Sequence, residues 1–316
     1  MLASGVWLTP ARAEVRTLAA TGEYRMGDND TKTDAKRLAL LDAKRLALEQ
    51  VGTYLEGITE VRNLSVTKDE IRSYTAGIVE VVEQTTRTTL EGETSVVRVD
   101  VTAKVDTALV TKQIGELRRN ELAKEELLRA KAEADLLRKQ LDEKNKQLAA
   151  LKGGAAETAV QQRQQVLAKA DANELLTKSW QVPAGAKDDI VTKVNTPTPE
   201  EAAKYRSMLE TAVKLDPENP WVHFKLGYLH HSEGNLDAAI QEYRTTIRLK
   251  PDAARPHLAL GRALKAQGKK QESQEEFYAY LMLAEKNPAN KPLIERTERQ
   301  LKKPAARRPN GMPARR

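Results

Sequence analysis

A chain of 316 residues with 31% charged and 4% aromatic side chains cannot bury one large apolar core, and it fits several smaller cores joined by exposed helices. The absence of cysteine excludes disulfides, thiol catalysis and Cys-based zinc sites within these residues, so no lipoprotein anchor is expected, and no run approaches the ~20 apolar residues that cross a bilayer. The net charge of +7 does not describe a nucleic-acid-binding face: Ala289 to Arg316 holds nine Lys/Arg against Glu295 and Glu298, which leaves residues 1–288 neutral.

Residues 1–13, MLASGVWLTPARA, read as the remnant of a signal peptide, a short apolar run ending in Ala11-Arg12-Ala13 without the usual basic start. A start placed upstream would supply what is missing. The expectation is an exported, periplasmic protein, with a cytoplasmic one as the alternative.

Residues 14–107 mix strand and helix. Val15 to Met26 has strand character, with Leu18, Ala20, Tyr24 and Met26 on one side, and Gly27-Asp28-Asn29-Asp30 is a turn. A helix follows to about Leu55, and in it DAKRLAL occurs twice, at Asp34–Leu40 and Asp42–Leu48. Eight residues rotate a helix by roughly 80° beyond two turns, so the two copies present different faces. The apolar stripe is expected on Leu40, Leu41, Ala47, Leu48, Val51 and Leu55, with Leu38 and Leu46 off it and Lys44 snorkelling outward. No continuous basic stripe results, so the repeat reads as compositional and the helix as a lid. Thr67-Lys68-Asp69-Glu70 is a capping box that starts a second helix through Ala76. A hairpin closes the region, with arms Ile78–Leu90 and Ser95–Asp106. Val97, Val99, Val101, Ala103 and Val105 share one face, the dry side that the lid would cover.

The opening ATGEY, the helix AKRLALLDAKRLALEQVGTYLEG and this element order resemble the N-terminal domain of flagellar T-ring assembly proteins and related outer-membrane-associated bacterial proteins. The resemblance implies an exported location and an assembly role, and it carries no catalytic motif.

Residues 108–152 form one long charged helix. A heptad seam fits Leu127, Ala130, Ala134, Leu137, Leu141, Lys144, Leu148 and Leu151, flanked by Glu and Lys/Arg, and predicts a coiled coil that self-associates through residues 120–151. A single helix held by local charge pairs is the alternative. Gly153-Gly154 ends it, and residues 153–195 form a helical connector that breaks up near Pro183.

The segment 196–288 has a period. Leu226-Gly227 recurs as Leu260-Gly261, 34 residues on; Gly234 recurs as Gly268, Tyr243 as Phe277 and His223 as His257. Ala239 answers to Ser273, and Pro251 stops the first unit. The segment resembles the tetratricopeptide repeat (TPR) family, in which units of two antiparallel helices must stack to bury their apolar faces. Leu209, Ala212, Leu215 and Pro217 supply the second half of a preceding unit, capped at Thr198-Pro199-Glu200-Glu201. Residues 289–303 would close the array, and 304–316 form a basic disordered tail. The second unit departs from the family in having Glu285 for the terminal Pro and Tyr280 for an Ala. Transferring the family's groove positions gives Trp221, Phe224, Tyr228 and His231 from one unit and Arg255, Leu258, Arg262 and Lys265 from the next. Such a groove, aromatic at one end and cationic at the other, would bind a protein or an acidic, aromatic peptide.

Other chemistry lacks support. His230 and His231 diverge by about 100° on a helix, His223 and His230 sit ~10 Å apart along its axis, and neither pair converges on a metal. No nucleophile motif or phosphate loop is present, so neither a catalytic site nor a cofactor is expected. The expected architecture is a multidomain, mainly α protein: a small α/β N-terminal domain with helices on an antiparallel sheet, a long coiled-coil-like helix, and a C-terminal α-α superhelix. The expected function is a non-enzymatic protein–protein interaction scaffold of the bacterial envelope. The alternatives are an assembly component of an envelope or flagellar ring acting through the N-terminal domain, and a cytoplasmic adaptor whose basic tail touches nucleic acid non-specifically.

Overall fold

The computed structural model describes residues 15–57, 67–68, 71, 79–118, 121–151, 154–179, 199–284 and 291–302. The signal-like segment, most of the helix expected after Thr67, the break near Pro183, the Thr198 cap, Glu285 and the basic tail lie outside the described residues. Two compact units divide the chain, Met1–Asp188 with Lys214–Asp216, and Asp189–Val213 with Pro217–Arg316.

In the first unit, β1 (Val15–Arg25), β2 (Val81–Glu91) and β3 (Thr94–Asp106) form an antiparallel sheet in the order β1-β3-β2. Gly92, at φ 64, makes the tight turn between β2 and β3. Val97, Val99, Val101, Ala103 and Val105 are all buried, as strict alternation requires of a sheet with one dry face. The other face is a polar network. There Asp100 accepts from the Thr21 hydroxyl at 2.7 Å, the Thr85 hydroxyl at 2.6 Å and the Arg87 guanidinium, while Arg98 pairs with Glu23 and Glu91.

The dry face is covered by α1 (Lys32–Glu56), whose first turn is capped by the Thr31 hydroxyl accepting from the Asp34 amide. Its contact ridge is Ala35, Ala39, Ala43 and Ala47, all fully buried, continued by Val51 and Leu55. This corrects the expected stripe: Leu40, Leu41 and Leu48 are only half-buried at its flanks, and Leu38 is buried on a different side. Each DAKRLAL copy supplies two alanines four residues apart. The eight-residue spacing therefore makes an unbroken ridge of small residues, and the rhyme is a packing device rather than a compositional accident. A Cβ on Gly22 of β1 would lie 2.2 Å from the Ala39 carbonyl oxygen and 2.2 Å from the Ala43 nitrogen. Only small residues on both surfaces allow this approach.

After β3, α2 (Thr107–Arg118) extends the same core with Val110 and Ile114. The long helix α3 (Glu121–Ala150) and α4 (Gly154–Lys178) then fold back as a hairpin. Leu127, Ala130, Leu137, Leu141 and Leu148 of the heptad seam are buried, but within the chain. Leu148 packs on Ala156 and Ala159 of α4, and Leu141 on Leu167 of α4 and Leu38 of α1. Ala134 stays exposed, and Lys144 bonds Gln162 across the hairpin at 2.7 Å. The seam expected to pair with a second copy is thus occupied by α4.

Polar contacts fasten the hairpin to the α/β part. Arg163 of α4 is fully buried and pairs with Asp30; Asp34 stands 3.6 Å away, and the Tyr24 hydroxyl is also in reach. Burial, with the Asp30 carboxylate next in effect, pushes the Tyr24 phenol up to about 12. The Asn29 side-chain amide donates to the Leu148 and Leu151 carbonyls at 3.3 Å and so caps α3. Arg37 pairs with Asp171 at 2.5 Å and Lys44 with Glu174 at 2.7 Å. Lys44 does not snorkel into solvent: α4 carries its counter-ion. Among the described residues no helix is long and apolar enough to cross a membrane.

Candidate functional site: a helical repeat array

The second unit contains α5 (Pro199–Leu215, apart from its last two residues), α6 (Pro220–Ser232), α7 (Leu236–Leu249), α8 (Ala254–Ala266), α9 (Lys270–Ala284) and α10 (Lys291–Lys302). Helix α6 pairs with α7, α8 with α9, and α8 also packs on α7. The helix starts are set by Asn219, whose side chain accepts from the Trp221 amide at 3.1 Å with Pro220 in the first turn, and by Asn235, which accepts from the Ala238 amide at 3.5 Å. Gly234 and Gly268 turn each pair at φ 81 and φ 83, where other residues are strained.

The 34-residue spacing recurs as geometry. A Cβ on Gly227 would lie 2.6 Å from the Tyr243 ring, and one on Gly261 would lie 2.7 Å from the Phe277 ring. Glycine at this place seats the aromatic ring of the second helix against the backbone of the first. Ala239 is fully buried beside it; Ser273, its counterpart, donates its hydroxyl to the Gly261 carbonyl at 2.7 Å. The shared core joins Phe224, Ala239, Ile240 and Tyr243 to Ala259, Leu260, Ala263 and Leu264. Leu226 is buried too, while Pro251 is exposed in the turn after α7.

The eight residues expected in the groove divide by exposure. Lys265 is exposed, Trp221, Tyr228 and Arg262 are half-buried, and Phe224, His231, Arg255 and Leu258 are buried. Phe224 sits between Trp221, edge-on at 6.3 Å, and Tyr243 at 5.8 Å, and so belongs to the core that supports the surface. His231 lies 3.5 Å from the Tyr243 hydroxyl through Nδ1. Burial, reinforced by the Arg262 guanidinium, holds its imidazole below the ordinary range, so it is a neutral partner. Burial also pushes the Tyr280 phenol up to about 12, with Arg255 and Arg262 pulling the other way. Among the described residues no three His, Asp or Glu side chains converge on a metal position.

Sequence reasoning missed one pair of contacts. His223 Nδ1 meets Glu242 at 2.7 Å, and His257 Nδ1 meets Glu276 at 2.7 Å. The signal was available: each His is followed by Glu nineteen residues later, in both repeats.

Two family profiles match this part of the chain, one described as a tetratricopeptide repeat over residues 208–241 and one as a TPR repeat over residues 229–268. Residues 208–268 are tetratricopeptide repeats. Stacked TPR units form extended binding surfaces, which makes this part of the chain a protein–protein interaction scaffold. Three solved structures are similar at low identity. The CopN-Scc3 complex is 15% identical, with 42% of this chain and 69% of that one covered and a TM-score of 0.34. The Yersinia enterocolitica type III secretion translocator chaperone SycD is 19% identical, with 32% and 76% covered and a TM-score of 0.31. MamA is 22% identical, with 52% and 80% covered and a TM-score of 0.29. No curated protein matches the chain. None of these comparisons bears on the likeness of residues 14–107 to flagellar T-ring assembly proteins.

Proposed function

We propose that the chain is a non-enzymatic scaffold whose TPR segment takes an acidic, aromatic-containing peptide or partner segment across α6 and α8. The observation that carries this reading is the chemistry of the accessible groove positions. Trp221 and Tyr228 offer aromatic surface on α6, while Arg262 and Lys265 offer positive charge on α8. Phe224, His231, Arg255 and Leu258, from the same two helices, are buried. Aromatic and guanidinium groups in a concave helical surface favour carboxylate-bearing ligands over basic or purely apolar ones. Full-length protein is tested on an array of acidic and basic peptides. Arg262→Glu with Lys265→Glu should cut retention of acidic peptides about tenfold or more, and unchanged retention sinks the groove assignment.

An envelope location and an assembly role rest on the likeness of residues 14–107 to outer-membrane-associated domains. Fractionation of cells expressing the full gene tests the location. Self-association through residues 120–151 is not part of the proposal, because α4 supports an intrachain role for that seam.

A further inference from the structure

The imidazole of His223 faces two acceptors. Nδ1 lies 2.7 Å from the Glu242 carboxylate on α7, and Nε2 lies 3.0 Å from the Pro217 carbonyl in the turn before α6. A carbonyl oxygen can only accept, and so can a carboxylate. Both ring nitrogens must therefore carry a proton for both bonds to form, and a neutral imidazole carries one. His257 is the control that the fold supplies. It repeats the bond to a glutamate, Glu276, at 2.7 Å, but among the described residues it makes no second bond. A neutral His257 keeps its one bond; a neutral His223 loses one of two.

We propose that His223 is a proton-operated clasp on the first repeat: doubly protonated it ties α6 to α7 and to the preceding turn together, and neutral it releases one of them. The charged groups that act on it are Glu242 and, through space, Arg248, both on α7. Consistent with the geometry, the Glu242 bond holds the His223 imidazole above its ordinary range, against burial and Arg248 and with help from the Pro217 carbonyl. A raised pKa means that the stabilisation is complete below the unfolded-state value of about 6.5 and is lost as pH rises through the folded value. The clasp also fixes the turn that leads to Trp221. An effect of pH on partner capture therefore rests on the groove reading above, whereas the clasp itself does not.

The test is made on the full chain without a partner, so a failed groove leaves it unaffected. Thermal melts between pH 6 and pH 8.5 should show the repeat segment losing roughly 2–4 °C. His223→Gln should flatten that decline, and His257→Gln should leave it in place. A decline that survives His223→Gln overturns the proposal. The wild-type protein supplies a second reading that does not depend on how the variant folds: nitrogen-15 spectra of the histidine side chains at pH near 6.5. Two protonated nitrogens on most His223 molecules support the clasp, and a single neutral tautomer sinks it.

Discussion

The backbone of Ala43 occupies the space that a side chain on Gly22 would need: a Cβ built there lies 2.2 Å from the Ala43 nitrogen and 2.8 Å from its Cα. The obstacle is helix backbone, which cannot rotate away. Gly22→Ala should lift α1 off the sheet and cost about 3 kcal/mol or more in urea unfolding of the full chain. Gly27→Ala, where the nearest atom is the Asp30 carboxylate at 3.7 Å, should be close to neutral and serves as the control.

Arg163 is a charge taken wholly out of water in the first unit. It is fully buried, and Asp30 and Asp34 beside it are each 5% exposed. Arg163→Met removes the cation and leaves two carboxylates in the interior. A loss of about 3–5 kcal/mol is expected. Adding Asp30→Asn should recover part of it, since one of the two orphaned carboxylates is then neutral. If both variants match wild type in chemical denaturation, the hairpin is not held by this pair.

Acid should loosen the same junction at a second place. Burial works to raise the Glu174 carboxyl, but the Lys44 and Lys178 ammoniums outweigh it and hold the group below the usual carboxylate range. A depressed pKa gives stabilisation that is present above the unfolded value of about 4.3 and lost as pH falls through the folded one. Circular-dichroism titration below that pH should show Glu174→Gln unfolding with a shallower acid limb than wild type.

The two repeat glycines make paired predictions. Gly227→Ala presses on the Tyr243 ring and Gly261→Ala on the Phe277 ring, at 2.6 Å and 2.7 Å. Each should cost about 1–3 kcal/mol, because a buried ring must shift in a packed core. Ser273→Ala should cost about 1 kcal/mol for the lost bond to the Gly261 carbonyl. Thermal melts followed at the helical signal check all three, and unequal effects for the glycines would mark the two units as mechanically different.

What the sequence made legible follows from how local each signal is. The TPR signature could be read because each of its residues answers to a contact inside one 34-residue unit: Gly227 to Tyr243, Gly234 to its own turn. The dry face of β3 was legible for the same reason, since alternation is a property of one strand. The alanine ridge of α1 was not, because an apolar stripe weighted by side-chain size favours leucines, whereas close approach to Gly22 selects the smallest residues. The heptad seam of α3 was visible but its occupant was not. Leu141 and Leu148 report that something covers them, and only the fold shows Leu167 and Ala156 doing so. In the expected groove, helical spacing could not say that Phe224 and Leu258 would be buried while Lys265 stayed exposed.

The fold-back of α3 on α4 also changes what the longest helix can do for the chain. Thirty residues of straight helix would make a strut of about 45 Å. Yet the Asn173 side chain donates to the Ala130 carbonyl at 2.9 Å, so the chain leaves this level at Ala130 and is back at it by Asn173. The outward and return legs cancel, and the forty-three positions from Ala130 to Asn173 give no net advance along the helix axis.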